Sequence, residues 1–187
     1  MRKNFQNVGF YPQPVLVVGT YDQDGIPAAM NVGWGGLVGG TYVELNISRG
    51  HKTTENIRQK RAFTLSFADQ ANLVAADYVG LVSGYDVPDK IARAGLHPVR
   101  AEFVDAPLFE EFPLTLECQV VEMMAGPGGL RVVGQVVNMS ADEAILGQDG
   151  QVDPDKARFL SFDRIHRTYR LLGGVVGQAY CDGKKKM

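Results

Sequence analysis

Leu114-Thr-Leu-Glu-Cys-Gln-Val120 alternates apolar and polar residues, Gly126-Pro-Gly-Gly129 follows as a turn, and Arg131 to Met139 resumes the extended pattern. A side-chain period of two buries one face of a strand. A short glycine-rich turn between two such runs joins them as an antiparallel hairpin. A chain with so long a hairpin builds its core around antiparallel sheet, and the remaining elements have to fit that.

They do. Val15 to Tyr21 is rich in β-branched residues and reads as a strand; Asp22-Gln-Asp-Gly25 is a turn, and Ala28 to Val32 is the return strand. Thr41 to Ser48, Ala62 to Ala68 and Phe159 to Phe162 read as further strands. Helical signals are short. Thr53 or Thr54 can cap a helix running to about Lys60, and Asn72 to Tyr78 is weakly helical. Asp86 to Gly95 has the marks of a complete short helix, with Asp86 as N-cap, Pro88 early and Gly95 as the stop. In Gly33-Trp-Gly-Gly-Leu-Val-Gly-Gly40 five of eight residues are glycine, a density that neither helix nor regular strand explains. Glycine there permits positive φ and lets a flat ligand approach the backbone. The fold expected is mainly β with short helices, an antiparallel barrel or sandwich with helical insertions. A doubly wound dinucleotide-binding sheet is disfavoured, since no GxGxxG stands between a strand and a long helix and no GxxxxGK[ST] occurs.

The 187 residues are most simply one domain, 1–187, large enough for a substantial core. A net charge of −2 argues against nucleic acid as the main ligand, and Lys184-Lys185-Lys186 reads as a solvated tail. Cys118 and Cys181 are too few for a disulfide framework or a metal set; Cys118 sits in an alternating run as a core residue. No signal peptide or membrane-length apolar run is evident, so no membrane association and a cytoplasmic location are expected.

The chemistry concentrates in Asn46-Ile-Ser-Arg-Gly-His-Lys-Thr53. A strand ends there and a helix begins. The segment offers the hydroxyls of Ser48 and Thr53, the cations Arg49 and Lys52, and the unpaired N–H groups of a helix start. Fixed positive charge, hydroxyls and convergent N–H groups are what a bound phosphate needs. The alternative is a solvated basic loop before a helix. His51 is read as exposed and incidental. There is no HExxH, no GxSxG and no close Cys/His spacing; His51, His97 and His166 are scattered, and neither a metal site nor a catalytic side chain is expected.

Several segments together are similar to the flavin reductase-like, FMN-binding family, which includes flavoredoxin. Asp24-Gly-Ile-Pro-Ala-Ala-Met-Asn-Val-Gly-Trp34 resembles its first hairpin and the Asn…Trp turn after it. Ser48-Arg49, Lys52-Thr53 and Glu55-Asn56-Ile57 resemble its phosphate loop and following helix. Ser83-Gly-Tyr-Asp-Val-Pro-Asp-Lys90 resembles its Ser-Gly…Asp…Lys motif, and Gly95-Leu-His-Pro-Val99, Ala106-Pro107 and Leu116-Glu-Cys118 its central segment. The resemblance implies an FMN-binding split β-barrel that forms a homodimer, with FMN at the subunit interface. It makes Ser48, Arg49, Lys52 and Thr53 the phosphate group. Asn31, Val32, Gly33, Trp34, Gly35 and Gly36 become the turn that meets the isoalloxazine ring, with Trp34 alternatively a core residue. Asn46, Ile47 and Ser48 present backbone N–H groups toward the flavin. Ser83 and Lys90 flank the short helix, and Lys90 is either an exposed helical lysine or one that reaches the phosphate or ribityl chain. Tyr169 and Arg170, with the Gly173-Gly174 loop, are candidates to close over the ring.

Three departures bear on the substrate pocket more than on the FMN site. Trp34-Gly35 stands where members often carry two aromatic residues. The Asp-Pro-Pro turn often found near Gly39-Gly40-Thr41 is absent, and Asn138-Met139 replaces a frequent histidine. The activity implied is an FMN-dependent oxidoreductase that takes hydride from NAD(P)H and passes electrons to flavin or a redox protein. The alternative is a flavoredoxin-like FMN electron carrier without a nicotinamide site.

Overall fold

In the computed structural model, which describes residues 1–186, the strands are β1 (Leu16–Tyr21), β2 (Pro27–Val32), β3 (Gly35–Gly39), β4 (Tyr42–Ile47), β5 (Ala62–Phe67), β6 (Pro98–Arg100), β7 (Pro107–Phe109), β8 (Leu114–Gly126), β9 (Gly129–Ala141), β10 (Leu160–Asp163) and β11 (Thr168–Leu171). The helices are α1 (Lys52–Lys60), α2 (Leu73–Leu81), α3 (Lys90–Arg93) and α4 (Pro154–Ala157). The hairpin read from the sequence is β8–β9, 13 residues in each strand, paired from Leu114↔Ala141 to Gly126↔Gly129. Register shifts at Glu117/Cys118 and Val120/Glu122 are bulges that bend the ribbon.

Seven strands form one antiparallel sheet in the order β2-β1-β5-β8-β9-β4-β3. Its two edges, β2 and β3, are consecutive in the chain and separated only by Gly33 and Trp34. Two residues span a few ångströms, so the edges must lie side by side and the sheet curls into a half-barrel. The opening between β2 and β3 is the split. The carbonyl of Trp34 accepts the N–H of Asn46 at 2.7 Å, tying the connection to β4.

The inside of the curl is one apolar cluster that includes Leu16, Val18, Leu45, Ile47, Phe63, Leu65, Cys118 and Val132. A second cluster lies on the other face of β1, where Val15 and Val17 meet Ala76 and Val79 of α2, Ile91, Phe109 and Leu160. β1 is therefore covered on both faces, which is why its sequence is a continuous apolar run. Among the described residues, no helix is long and apolar enough to cross a membrane.

Four local expectations are corrected. Gly35–Gly39 of the glycine-rich segment does form a strand, β3. It is an edge strand with a register shift between Leu37 and Gly39, where glycine costs least. Asp86–Gly95 is not one helix: only Lys90–Arg93 is helical, with Asp89 at its N-cap. Pro88 disfavours helical backbone at Val87, so Ser83–Val87 folds as a turn, with the N–H groups of Asp86 and Val87 donating to Ser83 O. Neither Thr53 nor Thr54 caps α1. His51 occupies the N-cap without a side-chain bond, and Thr54 Oγ1 donates to Ser48 O. The weak helix at Asn72 to Tyr78 runs on to Leu81, held by Ala76 and Val79 in the second cluster.

Candidate functional site

A cavity of about 460 Å³ lies at the split. Its walls are the C-terminal end of β2 with the connection after it (Asn31 to Trp34), the end of β4 (Asn46 to Ser48) and the β8–β9 turn (Pro127, Gly128). The sequence places these together because β4 pairs with both β3 and β9. Asn46 Nδ2 donates to Pro127 O at 3.0 Å and holds the turn over the cavity. Close approach also fixes Gly129, since a Cβ there would meet Ile47 O at 2.2 Å. Trp34 is 55% exposed, with the Arg164 guanidinium carbon 5.0 Å from its ring centroid, so it is a rim residue and not part of the core.

A second cavity of about 260 Å³ meets the first at Met30, Asn31 and His51. Lys52 and Thr53 at the start of α1, Val79 to Gly84 at the end of α2, and Lys90 line it. The cations here are constrained. Lys52 Nζ lies 3.2 Å from Asp22 Oδ2. Burial pushes the Asp22 carboxyl up, but the Ile26 N–H and Lys52 outweigh this and leave it below the usual carboxylate range. Lys90 is only 4% exposed; its Nζ donates to Val79 O at 3.1 Å and Val82 O at 2.9 Å. It thus satisfies carbonyls at the C-terminal end of α2, where a positive charge is favourable. Desolvation lowers its pKa. An ammonium has three donors, so one remains beyond these two bonds.

Asn31 sits where the two cavities meet. Its Oδ1 is enclosed and without a partner among the described residues. Its amide nitrogen faces Gly80, where a Cβ would come within 2.7 Å. Glycine at 80 is what allows the Asn31 amide to lie against α2.

The structure brings Asn31, Val32, Gly33, Trp34, Asn46, Ile47 and Ser48 around the first cavity, and Asn31, Lys52, Thr53, Ser83 and Lys90 around the second. Three expected residues stand apart. Gly35 and Gly36 belong to β3 and line neither cavity, and Arg49 is exposed on the turn before α1. Lys90 is a buried helix-end cap, neither the exposed lysine nor a purely phosphate-directed one. Tyr169 donates to Asp77 on α2, and Arg170 pairs with Asp163. Both are committed within the protein, and neither lines the first two cavities. His51 is exposed, as read, but it also lines both cavities as the N-cap of α1; sequence reasoning gave it no part, and it missed Pro127-Gly128, whose place follows only from β4–β9 pairing. Among the described residues, no group of three or more His, Cys, Asp or Glu side chains stands close enough to hold a metal.

The arrangement is a bent groove. One end is apolar and glycine-lined beside an exposed tryptophan; the other is a helix start with a lysine, a buried threonine and a lysine-capped helix end. It suits an elongated ligand with a flat ring and an anionic tail.

A family model described as flavin reductase like domain matches residues 8–157. Among solved structures, flavoredoxin of Desulfovibrio vulgaris (Miyazaki F) is 31% identical, with 98% of this chain and 100% of that one covered and a TM-score of 0.92. Flavoredoxin from Methanosarcina acetivorans is 29% identical over 100% and 99% of the two chains, with a TM-score of 0.90. A Shewanella frigidimarina protein with a split barrel domain, 20% identical over 90% and 86%, has a TM-score of 0.80 and shares the fold, a split barrel. No curated protein matches the chain by sequence.

Proposed function

The chain belongs to the flavin reductase like family, and we propose that it holds FMN in the two joined cavities and acts as an FMN-dependent oxidoreductase taking hydride from NAD(P)H. The observation that carries this is the meeting of a ring-sized cavity with a phosphate-type cavity at Met30, Asn31 and His51. The residues fit the cofactor. Asn31 Oδ1 is an enclosed acceptor in want of a donor, which a bound flavin would supply. Lys52, Thr53, Ser83 and Lys90 line the second cavity and, with the start of α1, would hold a 5′-phosphate.

When bound, the flavin supplies the hydride chemistry. The chain binds, orients and shields. Val32, Gly33, Ile47 and Ser48 line the first cavity, and their backbone groups would hold the ring's polar edge, with glycine at 33 leaving that backbone uncovered. The Pro127-Gly128 turn covers one side of the first cavity, and Trp34 borders the open side. No side chain is asked to move a proton, so the absence of a conventional acid–base pair fits this reading. The proposed unit is a homodimer, and the electron acceptor is flavin or a redox protein.

A second reading, an FMN electron carrier without a nicotinamide site, is supported by the 31% identity to a flavoredoxin over nearly the whole chain. The visible spectrum of the purified protein decides between them, recorded with FMN and again after anaerobic NADH and NADPH. Bleaching by either nucleotide supports the reductase. A flavin spectrum that resists both but bleaches with dithionite supports the carrier. No retained flavin after FMN addition and desalting contradicts tight FMN binding in either form.

A further inference from the structure

The connection between β10 and β11, residues 164–167, is strongly basic. Arg164, Arg167 and Arg170 against Asp163 give residues 163–170 a net charge of +2 in a chain of net −2, so the remainder carries −4. The one carboxylate is turned inward. Asp163 is 4% exposed, accepts the Tyr11 hydroxyl and the Ile165 and His166 N–H groups at Oδ1, and pairs with Arg170 at 3.3 Å through Oδ2. Residues 164–168 are all exposed. Among the described residues, neither Arg164 nor Arg167 has a carboxylate within ion-pair distance. Two observations set this turn beside the candidate site. The Arg164 guanidinium carbon lies 5.0 Å from the centroid of the Trp34 ring, which borders the first cavity. Phe162 and Tyr169 of the same hairpin bound a third cavity of about 160 Å³, and its Asn31–Gly33 wall also lines the first. Ile165, 42% exposed, stands as an apolar side chain among the charges.

Arginines without carboxylate partners, next to an exposed aromatic and an exposed aliphatic side chain, make an anion-facing surface with a small apolar centre. A patch whose sign opposes that of the rest of the molecule orients a charged partner as it approaches. We infer that the β10–β11 turn, together with Trp34, is the docking surface for an acidic one-electron carrier protein. The inference rests on the flavin reading and names the chemistry of its redox-protein acceptor. A carrier docked there stands at the open side of the first cavity. Two oxidised carriers in succession each take one electron from the reduced flavin, and the proton that came with the hydride passes to water. Such encounters bury little area and depend on charge for their rate and orientation.

The test titrates the full chain, supplied with FMN, against an oxidised [4Fe–4S] ferredoxin, which is acidic, and against cytochrome c, which is basic. Binding is read by calorimetry at about 10 and about 150 mM salt. This readout needs no turnover, and the flavin reading is checked apart from it, by whether the visible flavin spectrum survives desalting. Ferredoxin binds at low salt at least about tenfold more tightly than cytochrome c, and loses at least about tenfold at the higher salt as the Debye length falls from about 30 to about 8 Å. Arg164→Glu with Arg167→Asp abolishes the preference and leaves flavin retention unchanged; aspartate tolerates the positive φ of 54° at position 167. Arg164→Lys with Arg167→Lys keeps the preference, since steering reads charge. The wild-type comparison of the two carriers stands even if a variant does not fold. No ferredoxin binding at low salt, or binding indifferent to salt or to charge reversal, would overturn the inference. So would a change in sedimenting mass on charge reversal, which would put a second copy on the turn. Displacement of ferredoxin by millimolar phosphate beyond the effect of chloride at equal ionic strength would make the turn a small-anion site and overturn it as well.

Discussion

Lys52 Nζ sits 3.2 Å from Asp22 Oδ2, so the main cation of the second cavity is shared with a carboxylate from the β1–β2 turn. The same carboxylate accepts the N–H groups of Asp24 and Ile26 through Oδ1 and so shapes that turn. A phosphate entering the cavity would compete with Asp22 for Lys52 and feel its negative charge. Asp22→Asn keeps an oxygen for the turn but removes the charge. FMN affinity should rise by up to about fivefold, the scale of a partly exposed ion pair. Equilibrium dialysis at low and moderate salt checks this; the gain should shrink as salt screens it.

Arg49 and Lys52 stand three residues apart in the sequence, but of the two only Lys52 lines a cavity. Lys52→Ala should weaken FMN binding by about 1.5–3 kcal/mol, the worth of a charge-assisted bond. Arg49→Ala should cost well under half of that. Flavin fluorescence titration of the two single variants separates them. Equal losses would place Arg49 on the phosphate.

The Lys52–Arg49 contrast shows where sequence reading stops. The barrel strands were legible because hydrophobic period and turn chemistry are local, as in Leu114–Val120 and Gly126–Gly129. The place of the candidate site at the β2/β3 seam was partly legible, because Asn31 to Trp34 marked it, whereas Gly35 and Gly36 fall in β3 and line neither cavity. Direction was not. Whether Arg49 or His51 faces the groove depends on how the chain turns into α1, and Pro127 reaches the site only through β4–β9 register. The burial of Lys90 was not legible, because it comes from tertiary contact with the end of α2, which no spacing within 83–90 encodes.

Lys90 therefore has a structural role with a pH signature. Lys90→Met leaves the carbonyls of Val79 and Val82 without their donor and should destabilise the protein by about 2 kcal/mol at neutral pH, with the gain from removing a desolvated charge included. Burial depresses the lysine pKa in the folded state. Between the folded and unfolded values the unfolded chain binds more protons, so the wild-type contribution rises with pH through that window. The difference in Tm between wild type and Lys90→Met should widen in favour of wild type as pH increases toward the ordinary lysine range near about 10.4. A constant difference would remove the titration argument.

Four large apolar side chains are exposed on two strands of the sheet: Leu37 (68% exposed) and Val38 (52%) on β3, and Val137 (46%) and Met139 (58%) on β9. Exposed apolar side chains of this size are candidates for an interaction surface. The homodimer proposed above would cover it. Sedimentation velocity at micromolar concentration should give twice the mass of the 20.4 kDa chain. Val137→Lys with Met139→Lys should shift it to monomer, and a monomeric wild type would contradict the proposal.

Gly80→Ala separates helix propensity from site geometry. Gly80 lies inside α2, where alanine ordinarily adds about 1 kcal/mol by restricting the unfolded chain. Here the new Cβ would lie 2.7 Å from Asn31 Nδ2 and 3.1 Å from Cγ, closer than such contacts allow. Asn31 is the end residue but one of β2, at the junction of the cavities, and cannot retreat without moving its amide from the groove. The substitution should therefore give no gain in Tm and should weaken FMN binding by about tenfold, one to two hydrogen bonds' worth. The double variant Gly80→Ala with Asn31→Ala should recover the helix gain in Tm without recovering FMN affinity. If Gly80→Ala alone raised Tm and left affinity intact, the Asn31 amide would not be set by its contact with α2.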